Sequence, residues 1–152
     1  MKILVDADAC PYAVKEVLFR VAQRRQVMTT LVANQSMRVP QSKWIGSEVV
    51  GRDPDAADDR IVELVRAGDL VVTADIPLAS RVIDAGGGVI TPVGDLLSDR
   101  NVKQRLATRD LMDELRNDGI VTGGPAPFSE KDRETFTNQL DRFLTRHFRR
   151  ST

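Results

Sequence analysis

Apolar positions along the chain switch between short continuous runs and a helical repeat. Lys2 to Asp6 reads as a buried strand, because Ile3, Leu4 and Val5 are contiguous and apolar. Pro11 fits the first position of a helix. Val14, Val17, Leu18, Val21 and Ala22 then recur at helical spacing up to Arg24 and Arg25, whose charge suits a helix C-terminus. Val27 to Ala33 predicts a second strand and Ile45 to Val50 a weaker third. Pro54 opens a helix to about Ala67, with Gly68 as its stop. Leu70 to Ala74 is the clearest strand after the first. Pro77 to Ala85 predicts a short helix ended by Gly86-Gly87-Gly88, and Val89 to Thr91 a fifth strand. Ser98 to about Asn117 is helical, with Gly119 beyond it. Gly123 to Pro127 is the evident loop or hinge. Ser129 with Asp132 resembles a capping box for a last helix through Phe136, Leu140, Phe143 and Leu144. This alternation predicts one α/β domain over residues 1–152. Its expected sheet is mostly parallel and five-stranded, in the order 3-2-1-4-5, and flanked by helices.

Composition agrees with a folded domain: 152 residues, 41% hydrophobic and 29% charged. The 22 Lys and Arg residues equal the 22 Asp and Glu residues, so nucleic-acid binding would need a local patch of charge. Cys10 is the single cysteine and His147 the single histidine. An internal disulfide, a C-x-x-C metal pair, histidine-ligated zinc and a mid-chain Ser-His-Asp centre therefore fall away. Three apolar residues before Asp6 are too few for a signal peptide, and no run approaches a membrane span. The expectation is a soluble cytoplasmic protein with no membrane partner. Nothing in the pattern fixes an oligomeric state.

The chemistry must come from aspartates. Asp6 and Asp8 end the first strand, and Asp75 ends the fourth. Ligands of open α/β sheets bind outside the carboxyl ends of strands, where the strand order reverses. In the order 3-2-1-4-5 the first and fourth strands flank that point, roughly 4.8 Å apart, and Asp6 and Asp75 crowd together. Asp53, Asp55, Asp58 and Asp59 lie around the start of the helix that feeds the fourth strand. On a helical wheel Asp58 falls beside the Ala57, Ile61, Leu64, Val65 stripe, whereas Asp59 points away. Asp55 and Asp59 suit helix capping or the macrodipole. Several carboxylates in one pocket raise one another's pKa unless a cation neutralises them, and an all-oxygen site suits Mg²⁺ or Mn²⁺.

Other residues carry weaker signals. Cys10 precedes a helix start, where capping or packing is favoured over reactivity. His147, among Arg146, Arg149 and Arg150, reads as surface. Arg100, Lys103, Arg105 and Arg109 form a basic stretch that would contact phosphates, or else a solvated face paired with Asp110 and Asp113. Trp44 and Met37 would stack on a base or pack in the core.

Asp6-Ala7-Asp8-Ala9-Cys10-Pro11, Asp55-Ala56-Ala57-Asp58-Asp59 and Thr73-Ala74-Asp75-Ile76-Pro77-Leu78-Ala79 together resemble the bacterial YaiI/YqxD family, from Met1 to the C-terminal helix. That family looks like a branch of the PIN-like group, which includes the PIN and NYN nucleases. The resemblance implies a three-layer PIN-like fold and a metal-dependent phosphodiesterase acting on RNA or single-stranded nucleic acid. Asp6 matches the metal-binding acid ending the first strand. Asp58 matches the acid on the helix before the fourth strand, with Asp55 as alternate. Asp75 matches the first acid of a T/S-x-D-x-D-like segment. The second acid of that segment would fall at Pro77, which cannot ligate metal. Asp8 or Asp95 would then substitute, or the site holds one metal or is silent. Two alternatives stand beside a nuclease. One is a PIN-like domain that binds RNA or protein without cutting. The other is a haloacid-dehalogenase-like phosphatase with Asp6 as nucleophile, for which Gly94 to Asp99 loosely fits later motifs. That phosphatase lacks its activating lysine between Thr73 and Gly94, where Arg81 alone is available.

Overall fold

A computed structural model describes residues 1–119 and 127–151. Of the expected Gly123-to-Pro127 loop, residues 123–126 lie outside the described residues. The elements are β1 (Ile3–Asp6), α1 (Tyr12–Arg25), β2 (Thr29–Ala33), β3 (Ile45–Val49), α2 (Ala56–Leu64), β4 (Leu70–Val72), α3 (Ile76–Asp84), β5 (Gly88–Ile90), β6 (Leu96–Leu97), α4 (Asp99–Asn117) and α5 (Glu130–Ser151). Each expected strand and helix has a counterpart. Pro11 sits one position outside α1, at its N-cap, and α2 ends at Leu64 rather than near Ala67.

The sheet is mixed and has six strands, in the order β3-β2-β1-β4-β5-β6. This corrects the expected five. The first five strands run parallel in the expected order, and β6 adds to the edge antiparallel to β5, with Ile90 opposite Leu96. Two residues give β6 too short an apolar run to be seen as a strand. Gly94 makes its turn. It lies at φ +96, and a Cβ there would stand 2.6 Å from Thr135 Cγ2 at the start of α5.

Strand alternation sends side chains to two cores. Ile3, Val5, Leu70 and Val72 pack under α1 and α5, with Val14, Leu18, Phe136, Leu140 and Leu144. Leu4 and Val71 pack on the opposite face under α2 and α3, with Ala57, Ile61, Leu78 and Val82. Helices therefore cover both faces of the sheet. The same parity turns Asp6 and Thr73 toward the α2/α3 face. Among the described residues no helix is long and apolar enough to cross a membrane.

One buried charge fastens the other end of the sheet. Asp69, 4% exposed, takes Lys2 Nζ at 2.6 Å, the Lys2 N–H at 3.0 Å and the Arg66 N–H at 2.8 Å. Burial alone would raise its carboxyl, but these donors hold it below its ordinary value. The start of β1 is thereby tied to the start of β4.

Candidate carboxylate site

The chain passes from β1 to β2 to β3, then crosses back to β4 beside β1. The strand order reverses between β1 and β4, and the carboxyl ends of these two strands open a crevice there. Asp6 is the last residue of β1. Thr73 and Asp75 follow β4 at once, and Val5 pairs with Val72 in register. The Thr73 hydroxyl, 1% exposed, donates to Asp6 Oδ2 at 2.8 Å and accepts the Asp75 N–H at 3.0 Å. A single side chain thus joins the two strand ends.

Asp75 has a second attachment. Its Oδ1 accepts the Leu78 N–H at 3.0 Å, capping α3, while Pro77 occupies the first turn. Asp55 holds the N-cap position of α2 without a side-chain hydrogen bond, and Asp59 pairs with Arg81 at 3.0 Å. The wheel separated Asp58 from Asp59 correctly. Asp58 faces the crevice, its carboxyl pushed up to about 6 by partial burial and by the charges of Asp75, Asp6 and Asp55. Asp6 is raised too, first by burial and then by Asp75 and Asp8, against the lowering effect of Thr73.

Asp6, Asp58 and Asp75, from three elements, therefore sense one another electrostatically. Asp8 shares the field of Asp6, yet its Oδ2 accepts the Asn34 N–H at 2.8 Å and so anchors the segment after β2. Asp95 stands apart: it follows β5, pairs with Arg105 at 3.1 Å, and is not among the charges acting on Asp6 or Asp58. Among the described residues no three His, Cys, Asp or Glu side chains are grouped tightly enough to enclose one ion. The donor set still fits a hard divalent cation, being all carboxylate oxygen, with Asp6 and Asp58 both raised by burial and by neighbouring negative charge. Asp6, Asp58 and Asp75 would hold it.

The other candidates fall elsewhere. Arg100 and Lys103 are exposed on α4, Arg105 is committed to Asp95, and Arg109 lies 3.7 Å from both Asp110 and Asp113. Trp44 leads into the amino end of β3, on the edge opposite the carboxylates, with Lys43 over its ring at 5.1 Å. Met37 packs against the α1/α5 core. Cys10 is buried and its thiol is pushed up to about 12, chiefly by burial, so it is an inert packing group. Sequence reasoning missed Thr73 as the link between strands; its signal was its position, two residues before Asp75 at a strand end.

Residues 4–146 match the family model described as "Uncharacterized BCR, YaiI/YqxD family". A UPF0178 protein of Burkholderia ambifaria (strain MC40-6) is 55% identical over 147 residues, covering 97% of this chain and 98% of the relative. Another from Burkholderia lata is 56% identical over 147 residues, with the same coverage. A UPF0178 protein of Maridesulfovibrio salexigens is 55% identical over 150 residues, covering 99% of each chain. No solved structure matches.

Proposed function

The chain belongs to the YaiI/YqxD family, and we propose that it is a three-layer PIN-like nuclease that hydrolyses phosphodiesters of RNA or single-stranded nucleic acid with Mg²⁺ or Mn²⁺. The observation that supports this most is the mutual charge repulsion of Asp6, Asp58 and Asp75 at the β1/β4 switch point. Half-buried like charges destabilise a fold unless they serve a ligand, and a divalent cation removes the repulsion. A cation held there by Asp6, Asp58 and Asp75 would supply Lewis acidity, lowering the pKa of water and stabilising charge at phosphorus.

The chain's own residues do the rest. Asp6 and Asp75 form the two walls of the site, held in register by the Thr73 hydroxyl. Asp58 closes it from α2 and adds a third carboxylate to the donor set. Asp8 adds negative field while bracing the segment that begins at Asn34. The expected test is thermal unfolding: millimolar Mn²⁺ raises the melting temperature of the wild type and has little effect on Asp6→Asn. An equal shift in both proteins refutes the assignment of Asp6.

A PIN-like domain that binds without cutting is the second account. It is favoured by the structural work already given to two carboxylates: Asp75 caps α3 and Asp8 holds the Asn34 N–H. A phosphatase with Asp6 as nucleophile has less support, because Asp95 of its later motif is paired with Arg105.

A further inference from the structure

An open furrow of about 670 Å³ lies away from the carboxylates. It runs between α1 and the first turns of α5, lined by Val17, Arg20, Lys131 and Glu134 among others, and continues past Arg24 to Asp141. Arg142 and Arg146 line the next hollow along α5. Arg20, Arg24, Lys131, Arg142 and Arg146 are all exposed, and none makes an ion pair among the described residues. On α4, by contrast, Arg105 and Arg109 are spent on neighbouring aspartates, leaving Arg100 and Lys103 exposed. In a chain of zero net charge, five exposed cations without an ion pair among the described residues lie along the α1/α5 face, interspersed with Glu130, Glu134 and Asp141.

Spacing and position give this charge a direction. Arg20 and Arg24 stand one turn apart on one face of α1, as do Arg142 and Arg146 on α5, roughly 5.4 Å along each axis. That repeat is of the order of the step between consecutive phosphates. α1 has 14 residues and begins just after β1 at the carboxylate edge, so it carries the furrow roughly 20 Å away from the site. Tyr12, its first residue, is 71% exposed at the site end and offers an aromatic face to an unpaired base. The apolar stripe of α5 (Phe136, Leu140, Leu144) is fully buried against the sheet, which leaves Phe148 and Tyr12 as the exposed aromatics of this face rather than a continuous apolar stripe.

We infer that the α1/α5 face is a backbone track for single-stranded nucleic acid, with Arg20 and Arg24 contacting successive phosphates and Tyr12 stacking on a base where the strand enters the carboxylate crevice. This rests on the nuclease proposal for the identity of the strand. Glu16 falls between Tyr12 and Arg20 on the same stripe of α1, and with Glu130, Glu134 and Asp141 along the furrow it is an acid the track must pass.

Binding is measured on the full chain by anisotropy of a labelled oligouridine of about 12 nucleotides in EDTA, where cleavage is suspended. Arg20→Ala with Arg24→Ala should weaken binding about tenfold and flatten the slope of log affinity against log salt by about 1.4, the value for two phosphate contacts on a single strand. Alanine favours helix, so α1 should persist in this variant. Tyr12→Ala should weaken binding severalfold without changing the salt slope, and Glu16→Gln should tighten it. Unchanged affinity in the double variant overturns the track. So does wild-type binding no tighter to RNA than to polyglutamate or to phosphatidylserine vesicles. A wild type that binds through Arg20 and Arg24 but cuts nothing with Mn²⁺ removes the nuclease and leaves the track. A wild type that cuts, with unchanged binding in the double variant, does the opposite.

Discussion

Thr73 and Asp6 are joined at 2.8 Å by a hydroxyl that donates to a carboxylate oxygen, across neighbouring parallel strands and 67 residues of sequence. Because the Thr73 hydroxyl oxygen also accepts the Asp75 N–H, Thr73 sets the spacing of two of the three acids. Thr73→Val keeps the shape and removes both bonds. The expected result is a loss of about 1 kcal/mol of stability, a further rise in the Asp6 pKa, and Mn²⁺ affinity lowered by about tenfold. Calorimetry of unfolding and of Mn²⁺ binding checks all three; unchanged Mn²⁺ affinity would show that Thr73 does not organise the site.

The raised carboxyl of Asp58 makes a signed prediction about pH. Between the ordinary 3.8 and about 6 the folded protein holds a proton that the unfolded chain has lost. Stability from this group is therefore present below pH 3.8 and is lost as pH rises to 6. In EDTA, Asp58→Asn should be more stable than the wild type at pH 7, by the order of 1 kcal/mol after solvent screening, and equal to it near pH 3.5. Saturating Mn²⁺ should cancel the difference at pH 7. A variant less stable than wild type at neutral pH would mean that Asp58 makes a favourable contact instead.

Asp69 carries the opposite sign. Its carboxyl is held below the ordinary value, so its contribution is present above about pH 4 and is lost as pH falls. Asp69→Ala strands Lys2 and two backbone N–H groups, and should cost roughly 3 kcal/mol at pH 7 with no effect on Mn²⁺ affinity. Denaturant unfolding at pH 7 and pH 3 checks this: the cost should shrink at the lower pH. A cost that does not change with pH would contradict the role of its charge.

The order of the first five strands was legible because β1, β2, β4 and β5 are mostly apolar runs and three of the four crossovers are helical; β3 (Ile45–Val49) carries Gly, Ser and Glu, and residues 34–44 before it hold no helix. The site was legible through Asp6 and Asp75, which close those runs, and through the face of α2 that separates Asp58 from Asp59. β6 was not legible: Leu96–Leu97 acquires its strand character only by pairing with β5. The commitments of the charged side chains were also hidden, since they depend on tertiary neighbours. Asp95 finds Arg105 ten residues away, and Arg25 finds Asp141 on a distant helix. For that reason the sequence pointed to α4 as the basic face, whereas the uncommitted cations of α1 and α5 emerge only from the fold.

Cleavage itself is the most direct test. Purified wild type, Asp75→Asn and Asp99→Ala are incubated with single-stranded RNA and DNA and with a phosphomonoester, in Mg²⁺ and in Mn²⁺. The account predicts that the wild type cuts a phosphodiester, that Asp75→Asn abolishes cutting by removing one carboxylate from the crevice, and that Asp99→Ala retains most of it. No phosphate should be trapped on Asp6 by rapid quench. Phosphomonoester hydrolysis lost in Asp99→Ala, with an aspartyl phosphate captured on Asp6, would contradict the account; so would a wild type that cuts neither nucleic acid with either ion.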